Sequence, residues 1–197
     1  MALVIVSACA PRVSLRVPAE AVAELPLERR LTLLDAENDL LAATDAVDSR
    51  RELVNESPAL LDAAEAREKA AGEERGRDPS AEAAVSECRA RLNWTARQAE
   101  LRRAELSASE AALLVAQARF EEARAAEVEA AALPGSRGIR RAAYREQVDR
   151  RAQVQAGREA EAAKRSTSAA EAEKRWRLAR AELTRLTGGA QGSAWVQ

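Results

Sequence analysis

The 197-residue sequence contains no histidine at all. That removes the commonest general base, every Ser-His or Cys-His nucleophile pair, and the imidazole-containing zinc sites. Only two cysteines occur, Cys9 and Cys88, and they form neither a CxxC pair nor a disulfide framework. Aromatic residues make up 3% of the chain, far fewer than an ordinary globular core of this length uses. Glycine (8) and proline (6) are scarce, so long stretches run without a helix breaker. No apolar run approaches the roughly 18 residues needed to cross a bilayer as a helix. A dominant charge is missing too. The 31 basic and 32 acidic residues leave a net charge of −1, which selects neither nucleic acid nor an anionic membrane. No cofactor or metal is implied, and the chain reads as a non-enzyme.

What remains is Ala, Glu, Arg and Leu, the composition of long helices and coiled coils. The organisation begins at residues 10–26, where Pro11, Pro18 and Pro26 interrupt any helical stripe. This stretch is expected to be an extended tether. From Leu27 two apolar series repeat every seven residues: Leu27, Leu34 and Leu41, and beside them Leu33, Leu40, Val47 and Val54. A helix with two seams faces more than one neighbour. The spacing predicts an N-terminal helical region over 27–76, with a break near 57, because Ser57 suits an N-cap and Pro58 the first helical position.

Asp78-Pro79 repeats that start signal. Val85, Leu92, Ala99, Leu106, Leu113 and Phe120 then recur every seven residues without a slip, which argues for supercoiling. The break LPGSRG at 133–138 is followed by another uninterrupted helical stretch. Two long helices joined by a short connection fold back on one another. Over 79–187 the expectation is therefore an antiparallel coiled-coil hairpin with its turn at 133–138, followed by a flexible tail at 188–197. A register centred on the turn brings Trp176 opposite Thr95 and beside Trp94, Leu183 opposite Cys88, and Leu186 opposite Val85. Nearer the turn it sets Leu106, Leu113 and Phe120 against arginines, so a third apolar surface is needed. The first helix or a partner protein supplies it. The fold expected is all-α: the hairpin, with the N-terminal helix packed on it in an elongated three-helix section.

Candidate surfaces follow from this arrangement. The packing seam or partner surface comprises Val85, Leu92, Leu106, Leu113, Phe120, Trp176, Leu183 and Leu186. The arginines around the turn invite a phosphate contact, but Glu121, Glu122, Glu127 and Glu129 lie across from them, and ion pairing accounts for most of that charge. Trp94 and Trp176 read as coiled-coil packing or as an aromatic ligand pair. Cys88 reads as a small buried hydrophobe or a cross-linking thiol.

Val6-Ser7-Ala8-Cys9, preceded by the apolar run ALVIV, resembles the lipobox of bacterial lipoproteins. The resemblance implies lipid attachment at Cys9, and Ala10, in place of the Asp of inner-membrane retention, implies the outer membrane. Eight residues precede Cys9 and none is Arg or Lys. The other reading of MALVIV is thus an apolar end that packs on the bundle, with residues 1–9 a truncated signal on the first reading only. A second likeness is to the helical hairpins of TolC-type outer-membrane efflux channels and their periplasmic partners, carried by LLDAENDLLAATDAV and RWRLARAELTRLTGG. Together these imply a structural protein of the bacterial periplasm, anchored to the membrane through Cys9 and binding proteins, including further copies of itself, through coiled-coil surface. It would serve as scaffold, spacer or adaptor and bind no nucleic acid. The alternative is a cytoplasmic coiled-coil assembly protein without lipid.

Overall fold

The computed structural model describes residues 14–74, 79–132 and 138–188. Among them the protein is all-α: α1 (Ala19–Ala23), α2 (Leu27–Leu31), α3 (Leu34–Glu73), α4 (Pro79–Ala130) and α5 (Arg141–Thr187). These residues divide into two compact units. One holds the described residues up to Val47 together with Ser109–Ala156, and the other holds Asp48–Ala108 with the described residues from Gly157 on.

In the second unit, α4 and α5 form the expected antiparallel hairpin. Trp94 stacks on Trp176 with ring centroids 4.7 Å apart, and farther along α4 Glu100 pairs with Arg165, which lies earlier on α5. On its other side α4 carries α3, also antiparallel, through Arg50–Glu105 and Arg89–Glu68. The buried residues are small: Ala64, Val85, Ala99, Ala169, Ala172 and Ser57. Small residues let helix backbones approach closely, which an Ala-rich sequence makes possible along its whole length.

The first unit is built differently. Val17, Ala21, Leu25 and Leu33 pack into one cluster with Ala125 and Val128 of α4 and Tyr144 of α5. This corrects the tether expected over 10–26. Residues 10–13 lie outside the described chain, but from Ser14 onward the segment is docked. Pro18 and Pro26 do not merely keep the chain extended. Each sits immediately before a short helix with φ near −55°, the value its ring imposes and a helix entry requires.

A second correction concerns residue 57. The expected break is absent, and α3 runs through Pro58 without interruption. Proline removes the amide that would bond to the carbonyl of Val54 and crowds that turn. Just below, the Leu53 carbonyl accepts hydrogen bonds from the Ser57 hydroxyl at 3.0 Å and from Arg102 Nη1 of α4 at 3.0 Å. Arg102 thus braces this turn from α4, and the Ser57 hydroxyl bonds back within α3 instead of capping a new helix. The actual interruption in the N-terminal region falls at Thr32-Leu33, between α2 and α3.

The apolar seam of α4 also shifts along its length. Val85 and Ala99 are buried as the seven-residue repeat predicts. Beyond them the buried positions become Ala111, Leu114, Val115, Ala118, Glu121, Ala125 and Val128, while Leu113 and Phe120 are only half-buried. A nearly straight helix drifts by about 20° per heptad relative to a strict seven-residue repeat, and here the chain exposes a new face to its neighbours as it does so.

Candidate interaction surfaces

Cys9 lies outside the described residues. Of the other residues expected on the seam or partner surface, Val85 is buried, and Leu92, Leu106, Leu113, Phe120, Trp176 and Leu183 are half-buried. Leu186, at 37% exposed, is the most open of them.

The two seams of the N-terminal region have opposite fates. Leu33 and Val47 are buried, with Leu40 and Val54 half-buried, so this series is the one that packs. Leu27, Leu31, Leu34 and Leu41 stand exposed at 65, 54, 47 and 58%. Leu34 and Leu41 share a stripe of α3, and Leu27 and Leu31 sit one turn apart on α2. Around them are the exposed carboxylates Glu28, Asp35, Glu37, Asp39 and Asp45. Several large apolar side chains left exposed close together in the chain, with charged residues among them, are a usual mark of a docking surface.

A second site is the set of side chains that holds residues 14–17 against the first unit. Gln147, 3% exposed, uses its carboxamide as a stand-in for a β-strand partner. Its Oε1 accepts the Ser14 and Leu15 amides at 3.1 and 2.9 Å and the Ser14 hydroxyl at 2.8 Å, while its Nε2 donates to the Leu15 carbonyl at 3.3 Å. Two residues on, the Val17 amide donates to Glu121 Oε2 at 2.8 Å. The other oxygen of that carboxylate accepts from Arg124, whose guanidinium also lies 4.9 Å from the Phe120 ring centroid. Extended backbone packed into a helical core has no ladder to satisfy it, so side chains do so. Beside this hook the Tyr144 phenol is held above its ordinary value by burial and then by the Glu121 charge.

The third site is the tryptophan stack of the second unit. The two indole planes lie within 3° of parallel, leaving no space for a ligand between them. Arg91 and Arg180 lie 5.9 and 5.6 Å from the Trp176 ring, and the Trp176 indole donates to Glu87 at 2.6 Å. Burial and then Arg67 lower the Arg91 pKa, with Glu87 opposing. This geometry makes the pair a packing device with charged edges. Next to it, the Cys88 thiol is pushed up to about 11, by burial first and by Glu87 second. At neutral pH the thiolate that disulfide chemistry requires is therefore scarce.

Of the turn-end arginines, Arg141 and Arg145 both reach Glu122, at 2.6 and 3.4 Å, as the pairing argument expects, whereas Glu127 is held by Arg29 of α2 at 2.9 Å and Glu121 by Arg124 of its own helix at 3.1 Å. Arg137 lies outside the described residues. Sequence reasoning identified these glutamates but missed Gln147, because a lone glutamine in a helix carries no signal until the backbone it serves is known. Among the described residues no group of three or more His, Cys, Asp or Glu is arranged to hold a metal ion, and no helix is long and apolar enough to cross a membrane. No protein-family model, curated protein or solved structure matches the chain.

Proposed function

We propose that this chain is a non-enzymatic coiled-coil scaffold or adaptor of the bacterial envelope, anchored to the outer membrane through a lipid on Cys9 and exposed to the periplasm. The observation that carries the adaptor reading is the leucine stripe of α2 and α3. It stands open on a unit whose own core is already filled by the neighbouring seam. A surface kept apolar beside a completed core serves recognition of another surface.

The anchoring part rests on Val6-Ser7-Ala8-Cys9 and on where the docked chain resumes. Four residues lie between Cys9 and Ser14, so the two Cα atoms are at most about 18 Å apart. The expected long tether would have made a spacer; a leader fastened at Ser14 favours an adaptor held close to its membrane. Labelling with radioactive palmitate tests the anchor, comparing the wild-type gene with Cys9→Ala, each expressed from its native start. Label on the wild type and its loss in the variant is the expected result. Equal labelling of the two, or none of either, would leave the lipid-free cytoplasmic assembly protein as the reading.

A further inference from the structure

The charge on the helices is distributed unequally. Helix α3 carries 11 Asp and Glu against 4 Lys and Arg, whereas α5 carries 12 Lys and Arg against 7 Asp and Glu. Both helices pair with α4: α3 through Arg50 and Glu68, α5 through Arg141, Arg145 and Arg165. On α3 the exposed Asp35, Glu37, Asp39 and Asp45 flank Leu34 and Leu41, and Arg30 is the one exposed cation among the α2 leucines. On α5 the matching feature is Leu178, 64% exposed, with the exposed cations Lys174 and Arg175 one turn before it. Arg177 is paired with Glu173, and the exposed Glu171 and Glu182 lie farther along the same face, so the positive charge of the patch rests on Lys174 and Arg175. An open groove runs here, lined by Ala170, Glu173, Lys174, Arg177 and Leu178.

We infer that the chain associates with further copies of itself heterologously, the acidic leucine stripe of one copy (Leu27, Leu31, Leu34, Leu41) taking the basic Leu178 patch of the next. Two observations select this occupant. An isologous contact of stripe with stripe would oppose Asp35 and Asp45 to the same carboxylates of the other copy, and like charges face to face are costly. The Leu178 patch offers the opposite charge together with an apolar centre, the combination that the stripe lacks a partner for. Because the two patches differ, each copy keeps one of each after pairing, and association continues beyond a dimer unless the ring closes.

The inference names a partner for the adaptor surface and rests on that reading of the stripe. It is independent of Cys9, so palmitate labelling can fail while association stands. The test is sedimentation velocity of the full chain under reducing conditions, over about a hundredfold range of concentration. Wild type should grow from monomer to dimer and larger species, less so at high salt. Leu34→Glu/Leu41→Glu and Leu178→Glu, all at exposed positions, should each remain monomeric alone with unchanged helical circular dichroism. Mixed in equal amounts they should form a dimer and nothing larger, since each supplies the patch the other has lost. Should either variant lose helicity, Asp35→Lys/Asp45→Lys and Lys174→Glu/Arg175→Glu replace them. Each should stay monomeric alone, and their mixture should regain both contacts and grow beyond a dimer, because the reversed charges complement one another. A monomeric wild type at every concentration, association that survives both substitutions, or a mixture that stays monomeric would each overturn the inference.

Discussion

The two units solve the same problem with different materials. The first buries Leu25, Val128 and Tyr144, brought together from residues more than a hundred positions apart, and fastens its leader with buried Gln147 and Glu121. The second has no large aliphatic side chain buried to that degree beyond Val85. It relies on alanines, a half-buried tryptophan stack and ion pairs whose side chains are substantially exposed. Exposed ion pairs contribute little, about 0 to 1 kcal/mol each. Ala-lined helix contacts gain closeness but bury little apolar area per residue. The comparison teaches that a uniform-looking helical sequence need not be uniformly stable. Stability concentrates where a non-helical segment carries large side chains into the bundle.

Leu25, 2% exposed, loses its whole side-chain environment in Leu25→Ala, at a cost of about 3 kcal/mol. The same truncation at half-buried Leu183 in the second unit should cost about 1 kcal/mol, since much of that side chain is already in water. Urea melts followed by circular dichroism measure both. Equal losses would mean that the second unit is as tightly packed as the first.

Next in size is Gln147→Ala. It removes the acceptor of two amides and a hydroxyl, and the donor to the Leu15 carbonyl, in a setting that is partly dry. Leaving such groups without partners costs about 1 to 3 kcal/mol. Hydrogen exchange sharpens the attribution. The Ser14 and Leu15 amides should exchange much faster in the variant, while the amides of the second unit keep their wild-type rates. Uniform acceleration across both units would show that Gln147 supports the whole bundle and not the leader alone.

How much of this was legible beforehand divides along the same line. The hairpin was readable because Pro79, the LPGSRG break and the repeat from Val85 are local signals, and the turn-centred register placed Trp94 near Trp176. The packing series Leu33, Leu40, Val47, Val54 was readable for the same reason. The docked leader was not. Pro18 and Pro26 give the same local pattern in a free tether and in a strap. What distinguishes the two is a carboxamide 133 residues away from Ser14. Nor was the passage of α3 through Pro58, beside which Arg102 reaches across from α4 to the Leu53 carbonyl. Propensity describes the isolated helix, and tertiary donors overrule it. The exposed leucine stripe was visible as a seam, but only the packed structure tells which of two seams stays open.

Alkaline pH probes both units without mutation. Cys88 in the second unit is raised from 9.0 to about 11, and Tyr144 in the first is raised above 10.0, each with burial as the leading cause. A folded-state pKa above the unfolded value means the contribution to stability is complete below the unfolded pKa. It is lost as pH climbs through the folded one. Stability should therefore fall from about pH 9 upward, and Cys88→Ala should remove the part lost between 9.0 and about 11. Tyr144 is the chain's single tyrosine, so the ultraviolet signal of tyrosinate reports the first unit alone. A tyrosinate titration at the ordinary value for free tyrosine, in protein that is still helical, would show that the first-unit core admits water around the phenol.

The smallest effects come from two mirror-image backbone substitutions, one in each unit, and both should stabilise. Ala132 follows α4 with φ of 51°, in the left-handed region where a Cβ is strained and glycine is at ease. Gly157 lies within α5, where glycine costs conformational entropy, and a Cβ built there meets nothing within 4 Å. Ala132→Gly relieves strain in the folded state, and Gly157→Ala restricts the unfolded one; each should add about 0.5 to 1 kcal/mol. The sites are far apart in sequence and share no contacts, so the double variant should gain the sum. If the units unfold separately, however, a gain in one will not raise the transition of the other. Separate melts, with the tyrosine signal following the first unit and Trp94–Trp176 fluorescence the second, would then show Ala132→Gly moving only the former and Gly157→Ala only the latter. One shared transition moved by both substitutions would instead mean that the continuous helices α3, α4 and α5 couple the units into a single cooperative fold.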